Sequence, residues 1–486
     1  MKKLTLILLM FFLMQSMFAY AEPQKLVLNE YLQAIKANDP AYQAIFHEKN
    51  TAAGLLKSVQ AMYDTYLFAG YSYGEQGPST FGSFSVKDGK NTMWTMGGSK
   101  KLKATGTELS ATFMRTDTSA TYEVQPQDVD VITNKPSLGI RIAQPLWKDF
   151  MGILSRIPVE RMEIQADIAE LSEAENEETY YEAAISLYYD WLSLTLALNP
   201  LKESYANAQA LLKQVKKQYR NDVALKTDLL RSQEAVWQYQ NALEETLYNW
   251  NQVGSELYRK MGQEFTPAAS WEELPVEPEV KTDFCKCDPE EKFKNIRPIM
   301  TLEKLLSQFE LDVEESKRKE LPELSVYGEV SDYKEEDKNT DSFSSLNSRD
   351  TKVGFDFSMS LDNSEPKGIL QQAEENISKT KEDLEDTRTI LNTLYNNYLL
   401  KVKAWGNLEK TAKAIADSSE ERLKLETRRY RSGKTKLKDV ADYRNQFAAN
   451  ETDYLNKMIE LAKLEVQIAS LNDDLLDKVQ AELAKE

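Results

Sequence analysis

The sequence predicts an exported, mixed all-α/β-barrel membrane protein. Its short strands would close a wall only when several chains share it, and its very long helices would continue that wall as a tube. Three observations predict this. An export signal opens the chain, apolar residues alternate at period two over stretches of about ten residues, and two much longer stretches keep helical spacing with few breakers.

Lys2 and Lys3 precede an apolar run from Leu4 to Phe18, and Ala19-Tyr20-Ala21 supplies the small-x-small pattern of a cleavage site. The mature chain is expected to begin at Glu22, and no cysteine follows the run as a lipoprotein signal would require. No later apolar run approaches the roughly 20 residues a membrane helix needs; the best, Trp191 to Leu198, is far shorter. An exported chain of this kind is periplasmic, secreted or built into an outer membrane as a barrel.

The formal net charge of −18 becomes −20 once the two signal lysines are removed, which disfavours nucleic acid and suits a solvated surface or a cation path. Cys285 and Cys287 stand one residue apart, where a disulfide would be strained. A metal site would need two more ligands, and His47 is the chain's one histidine; a local loop feature is the simpler reading. No cofactor is expected.

The chain reads as two diverged copies. Asn38-Asp39-Pro40 and Asn295-Ile296-Arg297-Pro298 each open a helix, with proline as the start signal. Strand patterns follow over Tyr66 to Glu75 and Glu323 to Tyr333. Leu138-Gly139-Ile140 and Val353-Gly354-Phe355 each stand ahead of a long helical stretch. Those stretches break at Tyr219-Arg220-Asn221-Asp222 and Tyr430-Arg431-Ser432-Gly433, and Thr227-Asp228-Leu229 and Lys438-Asp439-Val440 follow at matching distances. One difference stands out. Pro40 to Gly139 is 99 residues and Pro298 to Gly354 is 56, and the extra 43 fall among the strands. Trp94 to Lys101 and Thr107 to Thr116 read there as an added hairpin turning at Thr105-Gly106, after a loop marked by Gly77, Pro78, Gly82 and Ser83.

Val353, Phe355, Phe357, Met359 and Leu361 alternate with Gly354, Asp356, Ser358, Ser360 and Asp362. Leu138, Ile140 and Ile142, and likewise Leu109, Ala111 and Phe113, repeat the pattern. Tyr66, Phe68, Tyr71 and Tyr73 suit an aromatic girdle. A soluble sheet on a core would alternate in the same way. The strand length of a tilted crossing, and the lack of a nearby core partner, favour lipid. Leu391, Leu394, Tyr398, Val402, Trp405 and Leu408 step by three and four, and helix of about 65 residues would reach roughly 100 Å. Helices of that length lie along neighbours, in a coiled coil or a ring. Open strand edges are not tolerated in lipid, so several chains must pool their strands. A tube joined to a pore is a conduit. A structural coiled-coil protein without conduction is the other reading.

With the doubled pattern, Gln144-Pro145-Leu146-Trp147 at the first long helix and the turn from Tyr430 to Asp442, the sequence resembles the TolC-type outer-membrane efflux family over Leu26 to about Leu476. The resemblance implies a trimeric transmembrane β-barrel of twelve strands, four per chain, over a long periplasmic α-helical tunnel. It implies homotrimeric assembly, a periplasmic adaptor, an inner-membrane pump and outer-membrane lipid as partners, and passive export as the function. The added hairpin departs from four strands; it would decorate the mouth or enlarge the barrel. Asp439 and Asp442 match the family's acidic rings at the periplasmic tip, and Asp228 and Tyr430 match its gate network. Thr435 stands where an arginine can occur. The competing account of Asp439 and Asp442 is an ordinary helix start, where carboxylates meet the positive dipole end.

The expected segments are a signal peptide (1–21), an equatorial segment with the first ascending helix (22–64), and strands with the extra hairpin (65–147). A long helical hairpin (148–262), an equatorial linker (263–297) and a second ascending helix (298–321) follow. Second strands (322–363), a second long hairpin (364–481) and a tail (482–486) complete the chain. Gly433-Lys434-Thr435 lacks the earlier glycine of a phosphate loop, and His47-Glu48 lacks the second histidine of a zinc protease, so an enzyme is not expected.

Overall fold

Alternation and length decide the sheet. In the computed structural model, which describes residues 26–81, 84–123, 127–271, 296–334, 346, 348–432 and 434–484, seven strands form one antiparallel sheet. The strands are β1 (Tyr66–Gln76), β2 (Ser79–Phe81), β3 (Phe84–Lys101), β4 (Glu108–Glu123), β5 (Val129–Pro145), β6 (Glu323–Tyr333) and β7 (Ser348–Ser358). Their order is β1-β3-β4-β5-β6-β7, with β2 paired to β3 alone. The signal peptide, Gly82, Ser83, Cys285, Cys287, most of the 263–297 linker, Gly433 and the last two residues lie outside the described residues.

The described helices are α1 (Leu28–Asn38), α2 (Pro40–Ile45), α3 (His47–Gln60), α4 (Ile153–Arg220), α5 (Lys226–Lys260), α6 (Arg297–Lys319), α7 (Ser364–Arg431), α8 (Leu437–Leu471) and α9 (Leu475–Leu483). α4 and α7 are each 68 residues, and α5 and α8 each 35. Residue 153 answers to 364, 220 to 431, 226 to 437 and 260 to 471, a constant offset of 211. α4 runs unbroken through Pro158 and Pro200, and α7 through Gly406, so the flanking turns outweigh the local penalty of these residues.

The chain divides into two compact units. One comprises 1–47, 173–297 and 388–486, the other 48–172 and 298–387. The first is centred on an aromatic core. Tyr31, Leu32 and Ile35 of α1 pack with Tyr181, Tyr188, Tyr189 and Leu192 of α4, Trp250 of α5, and Leu475 and Val479 of α9. Tyr31 stacks on Tyr188 at 6.0 Å, and the Trp250 indole N–H donates to Thr195 Oγ1 at 3.0 Å, which satisfies that buried donor. α9 is a departure from expectation. The second long hairpin was expected to reach 481, but α8 ends at Leu471 and the chain turns through Asp473 at φ +59. Burying Leu475 and Val479 in this core is the reason for the break.

The second unit holds the sheet, which has six long strands where the family resemblance implies four, and the added hairpin lies within it. The added hairpin, β3 and β4, is inserted between β1 and β5 and paired along its length on both sides. Its turn is fastened to the start of the first long helix. Lys101 reaches Asp149 at 3.1 Å, and Gln144 Nε2 donates to the Thr105 carbonyl at 3.0 Å. Gly106 (φ +68) and Gly152 (φ +67) face each other, and a Cβ on either would stand 2.8–2.9 Å from the other's backbone. Gly106→Ala should therefore cost about 1–3 kcal/mol, read as a lowered unfolding midpoint. A shift no larger than that of Gly70→Ala, where nothing lies nearby, would contradict this packing.

One sheet face is apolar across all six strands. It presents Leu67 and Tyr71 on β1, Trp94 and Met96 on β3, Ala111 and Phe113 on β4, Leu138 and Ile140 on β5, Val326 and Val330 on β6, and Val353 and Phe355 on β7. The Tyr71 and Trp94 rings lie 4.6 Å apart on this face. Ion pairs on the same face, Arg115–Asp117 at 3.0 Å and Arg349–Asp332 at 2.7 Å, bound the band at one end. The other face is mainly polar, with Arg141 reaching Asp356 at 3.4 Å and lying 4.2 Å over the Tyr327 ring. It also carries Tyr66 and Phe68, so the four aromatics expected in one girdle divide between the two faces.

Candidate functional site

The candidate gate residues lie at the two turns between long helices. α4 ends with the Val223 N–H donating to the Gln218 carbonyl at 2.9 Å, and α7 with the Lys434 N–H donating to the Arg429 carbonyl at 2.9 Å. These bonds sit at the same offset of 211, and each satisfies a carbonyl left over at a helix end.

Asp228 and Asp439 are the same structural position, the third residue of α5 and of α8. Asp228 Oδ2 accepts the Leu225 N–H at 3.3 Å, and Asp439 Oδ2 accepts the Lys436 N–H at 3.2 Å and the Thr435 hydroxyl at 3.0 Å. Each carboxylate thus fills an orphan donor and meets the positive end of its helix. Thr435, at the position where an arginine can occur, bonds to the Asp439 carboxylate. Asp442 is different: it is exposed, one helical turn further along α8. Its counterpart at the offset of 211 is Arg231, so the two turns are not equivalent in charge. On α5, burial pushes the Tyr239 phenol up, and the charge of Asp442 adds to the shift. Tyr430 is 38% exposed and its counterpart Tyr219 39%. Among the described residues, none of the four candidates bonds to another within one chain.

Two charged residues, one buried and one partly buried, gain roles that the sequence does not show. Asp39, fully buried, accepts the Tyr180 hydroxyl at 2.5 Å and the Ala41 N–H at 3.0 Å, and Lys260 approaches it at 3.5 Å. Burial opposes its charge, yet these donors hold its carboxyl below the usual carboxylate range. Its stabilising contribution is therefore present above the unfolded value and lost as pH falls through the depressed folded value. The stability gap between the native chain and Asp39→Asn should shrink on acidification below about pH 4. A gap that stays constant with pH would count against this bonding.

Arg297 is the second. Its guanidinium lies 3.2 Å from Glu175 and 3.1 Å from Asp473, and it also contacts Glu178. The Arg297 N–H donates to Asp473 at 2.7 Å and the Leu475 N–H to Glu178 at 2.9 Å. The carboxylates of Glu175, Glu178 and Asp473 converge closely enough for a metal ion, but the arginine already supplies the positive charge. The one signal available in sequence was position: Asp39 and Arg297 each precede the proline that opens a copy.

Residues 297–471 match the family model of the outer membrane efflux protein. No curated protein matches the chain. Among solved structures, the outer membrane protein VceC of Vibrio cholerae is similar at TM-score 0.64 and 12% identity, over 92% of this chain and 96% of that one. The CmeC outer membrane channel of Campylobacter jejuni matches at TM-score 0.64 and 12% identity, over 94% and 89%. The open state of the MtrE outer membrane channel of Neisseria gonorrhoeae matches at TM-score 0.61 and 13% identity, over 92% and 89%. An antiparallel sheet joined to paired long helices therefore has the fold of an outer-membrane channel chain. Residues 297–471 thus match the outer membrane efflux protein family, and the chain as a whole shares the fold of these outer-membrane channels.

Proposed function

We propose that the chain is the outer-membrane subunit of a tripartite efflux pump or type I secretion system. Three copies form a passive export conduit, with the strands in the outer membrane and most of the chain in the periplasm. A periplasmic adaptor and an inner-membrane pump deliver the substrate and the energy. The observation that carries this reading is the apolar sheet face: Val353 and Phe355 are 79% and 73% exposed in one chain, a cost in water that lipid removes. The constant offset between paired helices supports two copies of one strand-and-hairpin unit per chain. Heat-modifiable migration on gels and conductance steps in planar bilayers test it. A soluble, non-conducting chain would support the structural coiled-coil reading instead.

At the tip, Asp439, Asp442, Asp228 and Tyr430 form the gate. Three-fold symmetry turns each carboxylate position into a ring that attracts cations. Asparagine keeps a side-chain oxygen for the helix start, so Asp439→Asn with Asp442→Asn removes charge while sparing the cap. The double variant should lose cation preference and block by multivalent cations. Unchanged ion preference with normal conductance would remove these residues from the gate.

A further inference from the structure

We infer that three copies of this chain close a single wall of eighteen strands, in which the added hairpin is part of the barrel and β7 of each copy pairs with β1 of the next. The inference rests on the trimeric channel reading and adds how the wall is built.

Four observations carry it. The hairpin occupies the middle of the sheet: β1 is joined to β3 from Tyr66↔Ser99 to Gln76↔Gly89, and β4 to β5 from Glu108↔Ala143 to Tyr122↔Val129. Removing it from the wall would break both ladders and expose their backbone groups, which lipid does not tolerate. The apolar band is continuous through the hairpin, with Met96 opposite Phe113 and Phe113 opposite Leu138. An extracellular decoration would have no reason to keep an apolar face at that level.

The hairpin turn is also pinned where the first long helix begins, through the Gly106–Gly152 approach and the Lys101–Asp149 pair. Finally, six is an even number. In a wholly antiparallel sheet, β1 and β7 therefore run in opposite directions, and the free edges are matched in length at 11 residues each. The edge of one copy can accept the edge of the next in the same antiparallel pattern, and the third copy closes the ring. Barrel diameter grows roughly in proportion to strand number, so this wall is about 1.5 times as wide as one of twelve strands. At that size the interior is an aqueous channel rather than a space filled by side chains.

Cysteine cross-linking of the full-length chain in outer membranes tests it, in a Cys285→Ser, Cys287→Ser background. Ala69→Cys with Met96→Cys, and Phe113→Cys with Leu138→Cys, should each bond within one chain. Ala69→Cys or Tyr71→Cys combined with Val353→Cys or Phe355→Cys should give covalent dimers and trimers. Electron cryomicroscopy of the detergent-solubilised particle should count eighteen strands. Trimers in which Ala69→Cys bonds instead to Ile140→Cys or Ile142→Cys, β1 lying directly against β5 in a twelve-stranded wall, would overturn the inference and leave the channel reading standing. A chain that stays monomeric in the membrane would overturn both.

Discussion

Arg297→Ala should be among the most destabilising single changes in this chain, lowering stability by about 3–5 kcal/mol, as expected when one partner of a buried ion pair is removed. The guanidinium is shared by three carboxylates, and the Glu178 side chain is only 2% exposed. Without the arginine, Glu178 and Asp473 remain close together with no compensating charge. Burial already pushes the Asp473 carboxyl above its usual range, against the pull of Arg297. A carboxyl whose folded pKa lies above its unfolded value contributes stability below the unfolded value and loses it as pH rises through the folded one. The deficit of Arg297→Ala relative to the native chain should therefore be larger near neutral pH than near pH 5. Arg297→Lys should fall between them, because an ammonium keeps the charge but not the planar fork. Denaturation midpoints across pH measure all three. A loss below about 1 kcal/mol, the scale of an exposed pair, would show that the cluster is not buried in the assembled protein.

Ile140→Arg should abolish stable insertion, whereas an arginine already stands one residue away at Arg141. Ile140 lies in the middle of the apolar band, 55% exposed in a single chain, opposite Ala111 and Val330. On the proposed lipid face, an arginine near the bilayer midplane costs about 2–4 kcal/mol per copy, and the proposed three-copy wall would carry that cost three times. Arg141 points to the polar face, where Asp356 and the Tyr327 ring receive it. Membrane fractionation and heat-modifiability should show Ile140→Arg failing while Arg141→Gln assembles. If both assembled equally, the apolar face would be packing on protein rather than lipid, as in a soluble sheet.

These two sites differ in how much of them the sequence shows. The alternation through Leu138, Ile140 and Ile142 is local and repeats on every strand, so the face that carries Ile140 follows from a period of two. The helix lengths are similarly legible, because steps of three and four persist from Leu391 to Leu408 and the turns fall at matched distances. Asp228 and Asp439 were visible because a helix start is also a local event. The roles of Asp39 and Arg297 were hidden. Asp39 meets Tyr180 at a separation of 141 residues and Lys260 at 221, and Arg297 meets Asp473 at 176. No short-range pattern encodes such partners.

By itself, the sequence determined the two periods, the matched spacing of the long helices and the existence of an extra hairpin. Each of these is written in neighbouring residues, through side-chain direction and turn chemistry. Only the tertiary structure decided where that hairpin goes, that six strands rather than four build the sheet, and which buried charges pair. Strand order and ion pairing depend on which distant backbone edges and side chains meet, a choice settled by the collective burial of apolar surface and satisfaction of polar groups rather than by any local preference.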